Sequence, residues 1–138
     1  MRAVSCPLCG AAASALRRST LAAVVADRYP VAAGHLLVLP LRHCGRLVDL
    51  DDEERADLWA LVHDTLDAPP PVVGEADGWT VGVNDGAAAG QVIDHVHVHL
   101  IPRRAGDVSD PRGGVRWVLG AKAPWWDDVG VDDASRHR

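Results

Sequence analysis

The feature that most constrains the fold of this chain is the segment Asp94-His95-Val96-His97-Val98-His99-Leu100-Ile101-Pro102, in which three histidines alternate with branched aliphatic residues. A period of two is typical of a β-strand that buries one face. On such a strand the histidines lie on one face, about 7 Å apart, and the aliphatic residues lie on the other. We therefore predict a strand over residues 95–101 with a core face and a face for chemistry. The alternative, an incidental polar face, leaves three in-register imidazoles unexplained.

Length and charge limit the classes of protein that the chain can represent. With 138 residues we expect one domain, over residues 1–126, and a flexible tail over residues 127–138, where apolar residues are few. The net charge is −5 and no basic block is present, which disfavours a nucleic acid polymer as partner. No apolar run is long enough for a membrane span and no signal-like leader begins the chain, so we expect a cytoplasmic protein without a membrane partner.

The remaining pattern predicts a mixed α+β fold with an antiparallel sheet. Residues 11–19 are expected to form a short helix or a loop. Acidic residues from Asp49 to Glu54, followed by apolar residues at helical spacing, predict one long helix over residues 51–67. Besides the histidine strand, β-branched or apolar runs bounded by turn residues predict strands at residues 20–28, 35–40, 79–83 and 115–119.

Three segments together resemble the histidine triad (HIT) superfamily of nucleotide hydrolases and transferases. They are Gly34-His35-Leu36-Leu37-Val38-Leu39-Pro40, then Val83-Asn84-Asp85-Gly86, and then Gly90-Gln91 with the histidine strand. The stretch from Gly106 to Trp117 is similar to an extension in a bacterial subgroup described as diadenosine polyphosphate hydrolase-like. The resemblance implies a HIT-like fold: an antiparallel sheet of five to six strands, one long helix and a short N-terminal helix. It also implies a homodimer formed by joining two sheets at their edges.

The resemblance implies that the chain is an enzyme. His97 would attack the α-phosphorus of a purine nucleotide, expected to contain adenosine, and form a covalent nucleotidyl-imidazole that is resolved to a nucleoside monophosphate. A neutral imidazole is a good nucleophile near pH 7. The substrate would be a (di)nucleotide polyphosphate or a nucleoside phosphoramidate. The implied catalytic residues are His97, His99 and His35, and the implied nucleotide-binding residues are Asp27, Asn84, Gly90, Gln91, His97 and His99.

Several of these positions have alternative interpretations. Asp27 precedes His35 by eight residues and resembles a ribose-binding acid, but a surface aspartate that closes the turn before Tyr29-Pro30 explains it nearly as well. His35 could be a plain strand residue. Two positions depart from the family pattern: Leu41 replaces a common lysine, and Val92 stands where relatives often have a polar residue. The leaving-group preference is therefore open.

The motif Cys6-Pro7-Leu8-Cys9 favours a metal knuckle over a redox pair, because almost nothing precedes it that could form the strand of a thioredoxin-like unit. Some HIT proteins carry a structural zinc, and Cys6, Cys9, His43 and His95 resemble its four ligands. Four protein ligands close a tetrahedral site and leave no position for a catalytic water. Cys44 is an alternative ligand or a small buried residue. No organic cofactor is expected.

Two other functions remain open from the sequence. In the first, the histidines hold a catalytic metal, as in strand-borne His-x-His sites; against this, three imidazoles at successive alternate positions are spread too widely for one ion. In the second, the chain is a nucleotide-binding or scaffold protein that performs no reaction.

Overall fold

The fold is a five-stranded antiparallel sheet with helices on both faces. The computed structural model describes residues 5–129. The strands run in the spatial order β1-β2-β3-β5-β4. Their bounds are Arg17–Arg18 (β1), Ala22–Ala26 (β2), Leu36–Pro40 (β3), Gly78–Gly82 (β4) and Val98–Arg103 (β5). Every neighbouring pair is antiparallel. The predicted α+β class and antiparallel sheet are confirmed.

The long helix α2 spans Asp52–Asp67 and has 16 residues. Its start is set by a capping box: Asp51 accepts a hydrogen bond from the backbone N–H of Glu54, and Glu54 accepts one from the N–H of Asp51. The short helices are α1, Pro7–Ala11, and α3, Trp126–Val129. The expected long helix and short N-terminal helix are thus both present. In the part of the chain that the structure describes, no helix combines the length and the apolar character needed to cross a membrane.

The alternation of side chains along the strands divides the core into two layers. One layer lies between the sheet and α2, and it includes Val96, Val98 and Leu100. The other lies on the opposite face, where Leu8 of α1 packs against residues such as Leu37. Val96, Val98 and Leu100 of the histidine segment therefore lie on a core face, as the alternation predicts, and α2 covers that face. The histidines are left on the face that α1 covers only in part.

The histidine strand begins later than the sequence suggests. β5 starts at Val98, so His95 and His97 precede it, and only His99 lies within the ladder. The neighbouring strand β3 ends at Pro40, whose nitrogen has no hydrogen to donate to a ladder. Beyond that point the backbone N–H of Val96 donates instead to the carbonyl oxygen of Cys44, at 2.8 Å.

The predicted strand at 115–119 is wrong. The segment Gly114–Lys122 is 3-10 helical, with a break at Leu119. Positive φ angles at Gly113 and Gly114 turn the chain immediately before it. The apolar run therefore does not add a sixth strand, and its residues Val118 and Leu119 are 81% and 73% exposed.

Two other predicted segments also differ from the structure. Residues 11–19 contain a short 3-10 turn followed by β1, and the sequence does not reveal this strand. Residues 127–129 complete α3, and the rest of the predicted tail lies outside the described residues.

Candidate active site

All six predicted nucleotide-binding residues line one cavity of about 670 Å³ on the α1 side of the sheet. Apolar residues including Leu8, Leu37 and Ile93 form part of its wall. The predicted site residues on its surface are Asp27, Asn84, Gly90, Gln91, His97 and His99. His35 is buried next to this cavity and contacts His99. The fold therefore brings together predicted site residues that lie far apart in the sequence. The most distant two, Asp27 and His99, are separated by 72 positions.

The imidazole of His97 is oriented by a hydrogen bond to the backbone of His95. Its Nδ1 lies 2.8 Å from the carbonyl oxygen of His95. Because a carbonyl only accepts, Nδ1 of His97 carries the proton. In the neutral imidazole the other nitrogen, Nε2, then has an unshared electron pair. This is the nitrogen that can attack an electrophile in the cavity.

A hydrogen-bonded chain also defines the protonation of His35 and His99. The backbone N–H of Val31 donates to Nδ1 of His35 at 3.2 Å, so the proton of neutral His35 is on Nε2. That Nε2–H lies 2.9 Å from Nδ1 of His99 and donates to it. The proton of neutral His99 is therefore on Nε2, which makes His99 a donor on the surface of the cavity.

Burial favours the neutral form of both of these imidazoles. It lowers the pKa of His99, and the nearby imidazoles of His97 and His35 lower it further. The pKa of His35 is also lowered by burial, although the carboxylate of Asp27 opposes this shift. The hydrogen-bonded chain places one proton on each ring, which is the neutral form of histidine. The lowered pKa values favour this same form.

Asp27 closes the turn before Tyr29-Pro30 and also faces the cavity. One carboxylate oxygen accepts a hydrogen bond from the N–H of Tyr29, at 2.8 Å, and so closes the turn. The other lies 3.3 Å from Nε2 of His35, and the side chain lines the cavity. The sequence predicts Asp27 as a nucleotide-binding residue but does not reveal its contact with the imidazole of His35. The signal is the register of β2 and β3, in which Ala26 pairs with Leu36 and so brings Asp27 opposite His35.

Gln91 lines the cavity but its amide is already used within the protein. Its oxygen accepts from the N–H of Gly86, and its nitrogen donates to the carbonyl oxygens of Gly45 and Ile93. A contact between Gln91 and a phosphate would have to replace one of these bonds. Asn84 and Gly90 are exposed at the cavity surface. Gly90 has a φ of +91°, a conformation that favours glycine over other residues.

The four predicted metal ligands form a compact cluster. Nδ1 of His95 lies 3.5 Å from the sulfur atoms of Cys6 and Cys9, and Nδ1 of His43 lies 3.3 Å from that of Cys9. A tetrahedral zinc ion with ordinary bond lengths separates its sulfur and nitrogen ligands by about 3.5 Å. Nε2 of His95 donates to the carbonyl oxygen of Pro40 at 2.8 Å, as expected for a zinc-binding histidine. The donor set and spacing thus fit zinc.

Cys44 is not part of this cluster. It belongs to the buried core layer beneath α2, and burial raises the pKa of its thiol. A second group of potential ligands consists of Asp27, His35 and His99. Its hydrogen bonds argue against a metal, because Nδ1 of His35 accepts from Val31 and Nε2 must then keep its proton. The three imidazoles of the triad also do not converge, since His95 faces the cysteines.

The geometry defines a cavity of about 670 Å³ lined by His97 and His99, with an adjacent cluster of two cysteines and two histidines, on an α+β sheet. Residues 11–106 match the HIT domain family, and the chain belongs to this family.

The comparisons with individual proteins agree with this assignment. The chain is 39% identical over 93 residues to the bis(5'-nucleosyl)-tetraphosphatase (asymmetrical) of Schizosaccharomyces pombe, covering 67% of this chain and 50% of that protein. It is 38% identical over 93 residues to an AP-4-A phosphorylase of Mycobacterium tuberculosis, covering 67% and 47%. Each match therefore spans about half of the relative. The fold is similar to a Zn-bound histidine triad family protein from Mycobacterium smegmatis, with a TM-score of 0.67, 29% identity and coverage of 91% and 97%.

Proposed function

We propose that this protein cleaves an adenosine-containing nucleotide conjugate at its α-phosphate and releases a nucleoside monophosphate. The observation that supports this most strongly is the orientation of His97. Its Nδ1 is fixed on the carbonyl of His95, and its ring lines the same cavity as His99 and Asp27. Relatives that are named for action on dinucleotide polyphosphates support the same substrate class.

The reaction proceeds in two displacements at phosphorus. Nε2 of His97 donates its electron pair to the α-phosphorus, a P–N bond forms, and the bond from phosphorus to the leaving oxygen or nitrogen breaks. The leaving group takes the bonding electrons, and a leaving nitrogen also takes a proton from water. A water molecule then attacks the same phosphorus and releases one proton to the solvent, the P–N bond breaks, and His97 regains its electron pair. His99, as an Nε2–H donor, stabilises negative charge on the phosphoryl oxygens.

Asp27 and the apolar wall hold the nucleoside. A carboxylate can accept hydrogen bonds from two ribose hydroxyls, which favours ribonucleotides. Zinc, bound by Cys6, Cys9, His43 and His95, would link the N-terminal knuckle to the residues that precede β5. With four protein ligands it has a structural role, and His95 is the single ligand that also belongs to the triad.

The test is product formation by the full chain. The purified protein is incubated separately with diadenosine tetraphosphate and adenosine phosphoramidate, and adenosine monophosphate is measured by chromatography. We expect turnover of at least one substrate, and a loss of at least about 1000-fold in His97→Ala because the nucleophile is missing. The control is His63→Ala, which removes an exposed histidine of α2 outside the cavity. It should retain full activity.

Two outcomes would contradict the proposal. Equal activity of His97→Ala and the wild type would show that His97 is not the nucleophile. Tight nucleotide binding without any product, measured by calorimetry, would favour a binding or scaffold protein that uses the same cavity.

A further inference from the structure

The loop between β4 and the histidine segment forms one wall of the candidate active site. It spans residues 84–91 and brings Asn84 and Gln91 to the surface of the cavity. Backbone hydrogen bonds close it, because the N–H groups of Ala89 and Gln91 both donate to the carbonyl oxygen of Gly86. The position of this closed loop depends on the contacts that attach it to the rest of the fold.

The pairing of β4 with β5 places Asn84 near His97. Gly82, the last residue of β4, pairs with His99 in an antiparallel register. Asn84 comes two residues after this pair on one strand, and His97 comes two residues before it on the other. Both therefore lie just beyond the same end of the ladder, and both line the cavity. In the described part of the chain, no hydrogen bond engages the side-chain amide of Asn84. This amide is therefore available to a phosphoryl group bound beside His97.

Asp85, the next residue, attaches the loop to the segment that precedes α2. One carboxylate oxygen accepts a hydrogen bond from the backbone N–H of Leu47, at 2.9 Å. The guanidinium of Arg46 contacts both carboxylate oxygens, at 3.2 and 3.3 Å. The N–H of Leu47 and this guanidinium lower the pKa of Asp85. The carboxylate is thus ionised near neutral pH, and its hydrogen bonds are charge-assisted.

The segment that bonds Asp85 is itself held by the fold. Leu47–Asp49 is a 3-10 turn, and the carboxylate of Asp49 accepts a hydrogen bond from the N–H of Arg46 at 3.1 Å. The side chain of Leu47 packs against the core layer beneath α2. A loop that is bonded to this segment is therefore fixed to the main body of the domain.

Two further contacts join the loop to the same segment. The side-chain nitrogen of Gln91 donates to the carbonyl oxygen of Gly45 at 2.7 Å. The guanidinium of Arg46 lies against Gly86, where an added Cβ atom would approach its Cζ to 3.1 Å. Neither Asp85 nor Arg46 lines the cavity. A change in either side chain therefore acts on the site through the loop.

We propose that Asp85 is a positioning residue for the reaction, and that its bonds to the segment before α2 hold Asn84 beside the nucleophile His97. The proposal rests on the function proposed above. A phosphoryl group in transfer is stabilised by donors that are already in place, and a displacement of about 1 Å can lower the rate about 100-fold. Because Asp85 acts through Asn84, its effect falls on kcat and depends on the presence of the Asn84 amide.

The experiment is a double-mutant cycle in the zinc-saturated, full-length protein, with the conjugate that the wild type hydrolyses fastest. Asp85→Ala should lower kcat about tenfold and change KM by less than about twofold, because other residues hold the nucleoside. In a protein that already carries Asn84→Ala, the same change should lower kcat by less than about twofold, since the residue through which it acts is gone. Asp85→Asn keeps an acceptor for the N–H of Leu47, so its loss should be smaller, about threefold.

Asp107→Ala is the matched control. Asp107 also accepts hydrogen bonds from a guanidinium, that of Arg103, and from a backbone N–H, that of Arg104. It does not line the candidate active site. Both alanine variants remove a bonded carboxylate from a loop, so both should lower the melting temperature. In Asp107→Ala, however, kcat should stay within about twofold of the wild type.

Unchanged kcat in folded Asp85→Ala would overturn the proposal, and so would equal losses with and without Asn84→Ala. If Asp85→Ala does not fold, Arg46→Ala replaces it in the cycle, because it removes the guanidinium and leaves the bond to Leu47. The same dependence on Asn84 is then expected, with a loss of about threefold.

The proposed function is tested separately, by product formation in the wild type and its loss in His97→Ala. Product from the wild type together with an additive cycle contradicts the role of Asp85 alone. Absence of product from the wild type contradicts the proposed function and this inference with it.

Discussion

The imidazole Nδ1 of His97 lies 2.8 Å from the carbonyl oxygen of His95, and the imidazole of His95 belongs to the candidate zinc cluster. One residue therefore accepts a hydrogen bond from His97 through its backbone and belongs to the candidate zinc cluster through its side chain. Nε2 of His95 donates to the carbonyl of Pro40, at the end of β3. The candidate zinc cluster thus lies directly beside the segment that presents His97 to the cavity.

We predict that loss of the zinc thiolates lowers stability more than it lowers the activity of each folded molecule. In Cys6→Ser/Cys9→Ser we expect loss of zinc, measured by atomic absorption, and a fall in melting temperature of more than about 10 °C, because metal binding energy in such sites is folding energy. Cys44→Ala is the control and should retain zinc, since Cys44 lies in the other core layer. Full zinc content or an unchanged melting temperature in the double variant would show that the cysteines are not ligands.

We predict that Asp27→Asn reduces the preference for ribonucleotides. The carboxylate lines the cavity and is 15% exposed, and hydrogen bonds to a charged acceptor are stronger than those to a neutral one. We expect kcat/KM to fall about tenfold for a ribonucleotide substrate and by less for its deoxy analogue. The deoxy substrate serves as the internal control. An equal loss on both substrates would assign Asp27 to the turn at Tyr29 or to the histidines instead of to the ribose.

The division of the histidine segment into a core face and a chemical face could be predicted because alternation depends only on extended backbone. It holds even at His95 and His97, which precede the ladder. The residues that contact the histidines could not be predicted from this alternation. Asp27 reaches His35 only through the pairing of β2 with β3, and the hydrogen bonds of Gln91 join residues up to 46 positions apart.

The conformation of residues 115–119 could not be predicted from the sequence pattern. The run Val115-Arg116-Trp117-Val118-Leu119 is apolar enough for a strand, but short apolar runs do not distinguish strand from helix. Two consecutive glycines with positive φ turn it away from the sheet, and the indole N–H of Trp117 donates to the carbonyl of Arg112. The cavity lined by Thr80, Ile101 and Trp117 depends on this arrangement. No motif in the sequence indicates it.

We predict that the protein is a homodimer. β4, Gly78–Gly82, is at the edge of the sheet, its residues are all partly exposed, and the 3-10 segment does not pair with it as a sixth strand. Symmetric pairing of two such edges is a common way to satisfy unpaired backbone groups. Light scattering should give a molar mass twice the chain mass of 14.7 kDa over a wide concentration range. A mass equal to that of one chain at every concentration would contradict the dimer.

We predict that acidification below about pH 6.5 destabilises the fold through His35 and His99. Burial lowers the pKa of both groups in the folded protein, whereas histidine in the unfolded chain has a pKa of about 6.5. Between these values the unfolded chain binds more protons than the folded protein, so the free energy of unfolding falls as the pH falls. Above about pH 6.5 both states are neutral at these positions and the contribution is constant.

The measurement is urea denaturation of zinc-saturated protein between pH 8 and pH 5. Each shifted histidine can contribute a slope of up to about 1.4 kcal/mol per pH unit within its window. His99→Gln removes one of the two groups and should make the acid side of the profile shallower. His63→Gln changes an exposed histidine of α2 and should leave it unchanged. Protonation of the zinc ligands is common to all three proteins, so it cancels in the comparison. Parallel profiles for His99→Gln and the wild type would show that His99 does not remain neutral on folding.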